Sequence, residues 1–496
     1  MKVILVNPCS THVQDSSRYR SFVLPLLPLG VAYIAAVLER NGIEVKIIDQ
    51  HADKIDDELL IQKILAESPQ AVGFSCLTLV MDKVINIIRK IRALRKDIKI
   101  ILGNIHPTVF ADELLKENIG DVIVRGEGEH ATLDTILAFR DGRDLKDIKG
   151  ISFVQDGRVC RNPDRQPIED LDKLPYPAWH LFDLGYYKKG CPLVSMYDTI
   201  IPLVASRGCP WKCIFCSQDM FYKRPRYRKT LNIVDEIEYM HKTYKVNFFG
   251  FNDANFPFSV NQGLEFCNEI IRRKLNKKIK WITETRVDLV NLELLIKMKE
   301  AGAHLIMYGF EVGNQKVLDS LKKGTTLEQA RKAMKATKKA GLLTLGLFML
   351  GVPGDTKETC EETIKFAKEL DCDIVKFNIA IPLPGSAFFE EYKNKLKDIY
   401  EYKKFTSWTD WSNDKGDLLY MPETMSSQDL VNLQRKAMFT FYVRPRIIFR
   451  HILKRTISFK NLYYGAFILI SNYLEAAMSR FFAFKNKKNR SLNNKL

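Results

Sequence analysis

Ser206-Arg207-Gly208-Cys209-Pro210-Trp211-Lys212-Cys213-Ile214-Phe215-Cys216-Ser217 is the stretch that decides how this chain is read. Its cysteines follow a CxxxCxxC spacing, just past an apolar run from Ile200 to Ala205 that reads as a strand. Three thiolates on so tight a loop can hold three corners of a cubane iron–sulfur cluster and leave the fourth iron open to a small molecule. A structural zinc site wants a fourth ligand close by. The nearest other cysteines, Cys191 and Cys267, have no paired spacing.

Downstream of that loop, strand and helix patterns alternate to about Ser386. Strands are predicted at Pro202–Ser206, Phe248–Asn252, Lys280–Thr285, Leu305–Glu311, Thr344–Leu350 and Ile374–Ile379. Six parallel strands make a partial (β/α)6 barrel, open on one side, whose chemistry belongs at the carboxyl ends of the strands. Those ends carry the cysteine loop, Asn252-Asp253-Ala254-Asn255-Phe256, Glu284-Thr285-Arg286, Glu311-Val312-Gly313, Gly351-Val352-Pro353-Gly354 and Pro382-Leu383-Pro384-Gly385-Ser386. The four-residue glycine turn after the fifth strand suits either a ligand approaching backbone or a tight bend.

Upstream, the first 140 residues keep the same beat. Strands are predicted at Val3–Asn7, Val45–Asp49, Ala71–Ser75, Lys99–Leu102 and Asp121–Arg125. Helices are predicted at Leu29–Asn41, Leu59–Glu67, Lys83–Arg95 and Glu129–Arg140. This alternation builds a Rossmann-like, doubly wound parallel sheet with its ligand site at the strand carboxyl ends. Small and polar residues collect there: Asn7-Pro8, Ser75-Cys76-Leu77-Thr78, Gly103-Asn104-Ile105-His106-Pro107 and Gly126-Glu127-Gly128-Glu129. Asn7, Ser75, Thr78, Gly103, His106, Gly126 and Glu127 are the candidate lip of a site for a flat, bulky ligand. A hairpin at Ile151–Cys160 with Asp156-Gly157 at its turn and a stiff linker, Leu174-Pro175-Tyr176-Pro177-Ala178-Trp179, join the halves. The chain is thus α/β, divided as 1–145, 146–195, 196–390 and a mainly helical 391–496.

The cysteine run resembles the cluster motif of the radical S-adenosylmethionine (SAM) superfamily. The resemblance implies a four-iron–four-sulfur cluster on Cys209, Cys213 and Cys216 whose open iron chelates SAM, and a 5′-deoxyadenosyl radical formed by reductive cleavage of its sulfonium. Trp211 and Phe215 then shelter the cluster from water. By the same likeness Asp253 occupies the position of the contact to the SAM amino group, Glu284 suits the sulfonium, Arg286 the carboxylate and Glu311 the ribose hydroxyls. Each acid also suits a plain structural ion pair.

Placed before such a motif, the first half resembles the cobalamin-binding domain found N-terminal to many radical SAM enzymes. Gly103-Asn104-Ile105-His106-Pro107-Thr108 and Val124-Arg125-Gly126-Glu127-Gly128-Glu129 carry most of that likeness. The DxHxxG cobalt-ligand motif is missing: His12 and Asp15 stand in the wrong order, and Asp49-Gln50-His51 follows the second strand without the glycine. No histidine ligand to cobalt is therefore expected, and His51 reads as a surface residue. The resemblance implies methylation of an unactivated carbon, with anaerobic oxidative cyclisation as a sister chemistry, and an electron donor such as flavodoxin or ferredoxin. A methylthiotransferase is a rival that needs a second cluster from Cys9, Cys76 and Cys160. An iron–sulfur electron carrier has no use for an open barrel.

The formal net charge of +17 reads as a nucleic-acid signature until it is mapped. Residues 431–496 hold 14 Lys and Arg against Glu475 alone, which leaves +4 on the rest. No basic groove through the catalytic body, and no nucleic-acid partner, is expected. No disulfide spacing or signal peptide is visible, and the reducing cytoplasm is the expected compartment. Beyond a poorly patterned region with Trp408, Trp411 and Tyr420, a helix-prone run from Arg435 to Arg455 breaks at Arg444-Pro445-Arg446. The apolar Leu462–Phe484 segment follows, interrupted by Asn472, Glu475 and Arg480, and then a polar Lys485–Lys495 terminus. The interruptions argue against a spanning helix. The tail suits peripheral membrane contact and a lipid-like substrate, or equally packing on the barrel or a dimer interface.

Overall fold

The computed structural model describes residues 1–9, 27–187, 200–221, 224–395 and 418–453. His12, Asp15, Cys191, Trp408, Trp411 and the segments 462–484 and 485–495 lie outside them, as do the expectations attached to them.

Five short strands run parallel in the first half: β1 (Lys2–Asn7), β2 (Glu44–Asp49), β3 (Ala71–Ser75), β4 (Lys99–Gly103) and β5 (Val122–Val124). β1 and β3–β5 are near-continuous apolar runs because helices cover both faces, whereas the edge strand β2 alternates with the charged Glu44 and Lys46. The isoleucine- and valine-rich helix Met81–Leu94 closes one face, and helices Leu29–Arg40 and Gly128–Asp141 pack on the other. The strand order β2-β1-β3-β4-β5 reverses direction between β1 and β3, and ligands bind beside such a switch point, beyond the strand carboxyl ends.

The hairpin, β6 (Ile151–Gln155) and β7 (Arg158–Arg161), does not stand apart as a linker element. β6 pairs antiparallel with β5 and extends the sheet to seven strands. Asp156 and Gly157 both take positive φ at its turn, as a two-residue hairpin requires. The proline-rich stretch ends in a turn, Trp179–Leu181, that buries the Trp179 ring in the barrel's helical layer.

In the second half β8 (Ile201–Leu203) ends before Ser206. Ser206 belongs instead to a two-residue strand, β9 (Ser206–Arg207), paired with β10 (Arg226–Tyr227). The break has a cause: the Ala205 amide donates to the Asp253 carboxylate rather than to a neighbouring strand. The remaining strands, β11 (Phe248–Phe251), β12 (Lys280–Thr285), β13 (Ala303–Glu311), β14 (Leu343–Leu350) and β15 (Ile374–Ile379), form one parallel sheet with β8. Its order is β15-β14-β13-β12-β11-β8, open between the two ends. Thr344, Gly346, Phe348 and Leu350 face the buried helical side of β14, while Leu343, Leu345, Leu347 and Met349 are half-buried on the inner side.

The C-terminal helix starts earlier than its charge pattern implies, at Ser427, where Ser426 and Asp429 form a capping box. It ends at Tyr442, and a second helix, Pro445–Leu453, opens on proline as a first turn permits. Both pack on the barrel. Gln434 donates to the Phe377 carbonyl and the Tyr442 hydroxyl bridges the Val375 backbone. Arg444, Arg446, Arg450 and Lys338 converge on the buried Asp371, so part of the basic excess is spent inside the molecule.

Candidate active site

The cluster loop grows out of the β9–β10 stem. Gly208 (φ +99°) turns the chain against the Arg224 carbonyl, where any Cβ would collide. The loop is then tied across the open side of the barrel. Ile214 N–H donates to Leu321 O (3.1 Å), Ser217 Oγ to Pro384 O (2.9 Å), and Phe388 N–H to Ile214 O (2.8 Å). These bonds join the loop to the segments after β13 and β15. Cys209, Cys213 and Cys216 form no disulfide and are half-buried. Burial pushes the Cys213 thiol up, with Lys323 and Arg286 pulling the other way, and pushes Cys216 to about 11. Metal loading must therefore displace protons.

Three soft thiolates beside cationic groups suit a cluster better than a lone ion. Among the described residues no three His, Cys, Asp or Glu side chains form a single-ion site. A cubane instead spreads its ligands over separate irons. The Asn255 amide approaches Cys209 Sγ at 3.9 Å. Trp211 stacks on Phe258 and carries the Arg286 guanidinium 4.0 Å above its ring.

The acids at the barrel's carboxyl edge separate into a backbone clamp and a charged cluster. Asp253 is buried, holds the Ala205 amide (3.1 and 3.0 Å) and meets the Ser206 hydroxyl. Burial pushes its carboxyl to about 7 against those hydrogen bonds. Glu284 is likewise pushed to about 7, first by burial and then by the charge of Glu311, while Lys323 opposes. Glu311 sits at a bulge in β13 with φ +66°, unusual for a residue with a side chain, and pairs with Lys323 Nζ at 2.5 Å. Gly309 makes room: a Cβ there would lie 2.8 Å from that ammonium. Arg286 is held bidentate by Asp288 (2.9 and 2.8 Å) and donates to Lys323 O.

Lys323 was not visible as a site residue in the sequence. It lies 12 residues past Glu311 in a loop of ordinary lysines, and only folding pairs it with Glu311 and brings its charge to bear on Glu284 and Cys213. The Gly351–Gly354 segment is a tight turn: Asp355 caps the Gly351 and Val352 amides, and Leu430 of the C-terminal helix packs on Gly351.

At the carboxyl edge of the first sheet, Ser75, Thr78, Gly103 and His106 come together beside the switch point, while the Asn7 side chain turns to Asp49 on β2. Asn104 donates to Ser75 Oγ (3.0 Å), Cys76 N–H to Gly103 O (2.9 Å), and His106 N–H to Cys76 O (3.3 Å). His106 Nδ1 lies 3.3 Å from Thr78 Oγ1, and burial lowers its pKa to about 3, so the ring stays neutral. His51, expected on the surface, is half-buried beside Asp49, whose carboxylate accepts the Tyr187 hydroxyl at 2.7 Å.

Gly126 takes φ +75° at the end of β5 and delivers Glu127 to the other half of the molecule. Glu127 Oε1 accepts from Arg207 (3.2 Å) and Arg226 (2.9 Å), and Glu129 accepts from Arg207 (2.5 Å). The carboxyl edges of the two sheets therefore meet at the stem of the cluster loop.

Comparison with known proteins agrees with both halves. Residues 19–135 match the B12 binding domain model and residues 203–367 the Radical SAM superfamily model. An uncharacterized methyltransferase of Pyrococcus horikoshii is 32% identical over 94% of this chain and 99% of its own length. The anaerobic magnesium-protoporphyrin IX monomethyl ester cyclase of Rubrivivax gelatinosus is 33% identical over 79% of this chain and 71% of its own. Among solved structures, the radical S-adenosylmethionine methyltransferase TsrM from Kitasatospora setae, with cobalamin and [4Fe-4S] cluster bound, superimposes with a TM-score of 0.72. It is 17% identical and covers 96% of this chain and 99% of its own, a likeness of fold. The chain belongs to the radical SAM superfamily, in its branch with an N-terminal cobalamin-binding domain. Its cofactors are a 4Fe-4S cluster, SAM and cobalamin.

Proposed function

We propose that this protein is a cobalamin-dependent radical SAM methyltransferase that methylates an unactivated carbon. The observation that carries this reading is the contact of Glu127 and Glu129, at the ligand edge of the first sheet, with Arg207, two residues ahead of Cys209. Two cofactor sites that share a wall can act on one substrate carbon. When bound, the cluster with SAM supplies a hydrogen-abstracting radical, and cobalamin supplies the methyl group.

The chain's own residues hold, orient and dry the site. Cys209, Cys213 and Cys216 are the proposed cluster ligands. Trp211 and Phe215 exclude water around them, and Trp211 supports Arg286. Glu284 and Glu311 would serve the cationic and hydroxylated parts of SAM. Lys323, paired with Glu311 and felt electrostatically by Glu284 and Cys213, would join Arg286 as a cation for its carboxylate. Asp253 acts by clamping the Ala205 and Ser206 backbone from which the cluster loop departs. Asn7, Ser75, Thr78, Gly103, His106, Gly126 and Glu127 form the proposed corrinoid lip, and the neutral, buried His106 suits a shape-defining role.

The inner wall of the barrel suits an apolar substrate with one polar group. Leu347 and Met349 of β14 are half-buried on that wall toward its carboxyl end, and Lys376 and Asn378 are half-buried polar residues of β15. A flavodoxin or ferredoxin electron donor, a cytoplasmic setting and contact with a membrane surface complete the proposal. Among the described residues no helix is long and apolar enough to cross a membrane.

A second cluster, as a methylthiotransferase would need, is not supported by the topology. Cys160 on β7 lies four strands from the end of β3, where Cys76 sits, a lateral spacing of about 19 Å.

Anaerobic reconstitution with iron, sulfide and cobalamin tests the reading. Retained cobalamin with both S-adenosylhomocysteine and 5′-deoxyadenosine formed is the expected result. 5′-Deoxyadenosine without retained cobalamin would overturn methyl transfer, and Cys213→Ala should abolish both products.

A further inference from the structure

Arg207 and Arg226 stand opposite each other in the two-residue ladder that closes the cluster loop. Both reach out of the barrel into the loop after β5. Arg207 binds Glu127 and Glu129, and Arg226 binds Glu127 through both terminal nitrogens (2.9 and 3.1 Å). The Tyr33 ring lies 5.2 Å from the Arg207 guanidinium. All four charged side chains are at most 10% exposed. Burial pushes the Glu129 carboxyl up, but Arg207 overrides it and holds the group below the usual carboxylate range.

The surrounding backbone is built for this contact. Gly128 presses against Ile34, where a Cβ would come within 2.8 Å. Arg226 also donates to Ile168 O (2.5 Å), and Glu127 accepts the Ile168 amide (2.5 Å), which fixes the acid from behind. Two domains are joined more cheaply by apolar surface than by four desolvated charges. What paired guanidinium and carboxylate groups add is direction and a narrow range of distance. The clasp also grips both strands of the stem at once, which restrains tilt as well as height.

We propose that Arg207 is a positioning residue. Through Glu127, Glu129 and Arg226 it sets the cluster loop at a fixed height and tilt over the ligand edge of the first sheet, so that SAM and corrinoid are held in register. This inference rests on the methyl-transfer reading and adds to it the element that aligns the two cofactor sites. It assigns Gly126-Glu127-Gly128-Glu129 a joint function beyond lining the lip.

The test compares the wild-type holoenzyme with Arg207→Met, Arg207→Lys and Glu129→Gln. Arg224→Ala serves as control, because Arg224 pairs with Glu169 on the exposed side of the same loop. Pulsed EPR reads the dipolar spacing between the reduced cluster and cob(II)alamin, beside iron and cobalt content and single-turnover product yields. Arg207→Met should keep both cofactors, broaden the spacing distribution, and lower the ratio of S-adenosylhomocysteine to 5′-deoxyadenosine about tenfold or more. Arg207→Lys should restore part of the ratio, and Arg224→Ala should leave spacing and ratio alone. An unchanged spacing and ratio in Arg207→Met, or loss of cofactor with normal spacing in the loaded remainder, overturns the proposal.

Hydrogen exchange gives a cofactor-independent readout. Arg207→Met, or Glu129→Gln if the former does not fold, should speed exchange in both 203–227 and 122–130. Unchanged exchange in both segments also overturns the joint. A wild-type enzyme that binds no cobalamin sinks the methyl-transfer reading instead, while the exchange data still judge the clasp.

Discussion

Glu284 shows how a single residue's environment makes a measurable claim. Its carboxyl ionises near 4.5 in an unfolded chain but near 7 in the folded protein, because burial and the Glu311 charge oppose ionisation. Below 4.5 both states are protonated and the group costs nothing. As pH rises toward 7 the unfolded chain ionises first, and the protein loses stability until the penalty is complete above 7. Glu284→Gln in the cofactor-free protein should therefore raise Tm by about 2–4 °C at pH 8 and leave it unchanged at pH 4. A parallel pH dependence in mutant and wild type, by differential scanning calorimetry, would refute the assignment. Glu284 and Glu311 were legible as candidates because they end strands. Lys323 was not, because its partner lies across a loop closure that no local pattern encodes.

At the scale of an element, the cluster loop is a short stem with a constrained exit. Gly208 at φ +99° leaves no room for a side chain against the Arg224 carbonyl. Gly208→Ala should open the stem at a local cost of about 1–3 kcal/mol. The expected consequence is lower iron retention after reconstitution and faster exchange at 203–227, with the first sheet unaffected. Full iron retention would show that the loop folds independently of its stem. The strand preceding this loop was expected to run to Ser206, yet it stops at Leu203. Apolar patterning marks a strand, but it does not report that a carboxylate 48 residues away takes the Ala205 amide out of the ladder.

Across the whole molecule, the C-terminal helices are bound to the barrel by charge as well as by apolar contact. Asp371 is the shared anion of Lys338, Arg444, Arg446 and Arg450. Asp371→Ala should destabilise the protein by roughly 1–3 kcal/mol, since Arg450 and Arg444 lose a largely desolvated partner while the exposed Arg446 and Lys338 lose little. Limited proteolysis should then cut within 443–453 before the barrel opens. Unaltered cleavage and denaturant midpoint would mean that apolar packing alone seats these helices. From sequence alone the tail suited a membrane surface, the barrel or a dimer interface; tertiary contacts place its helices between 427 and 453 on the barrel.

The sequence by itself determined the two parallel α/β halves, the cluster loop and the acids at strand ends. Those features rest on local period, spacing and turn chemistry, which reach only a few residues along the chain. The tertiary structure alone decided that β6 and β7 extend the first sheet, that Lys323 enters the acidic cluster, and that Glu127 and Glu129 grip the base of the cluster loop. Each depends on groups far apart in the chain, backbone amides and carbonyls in the first case and charges in the other two, that need partners once folding removes them from water.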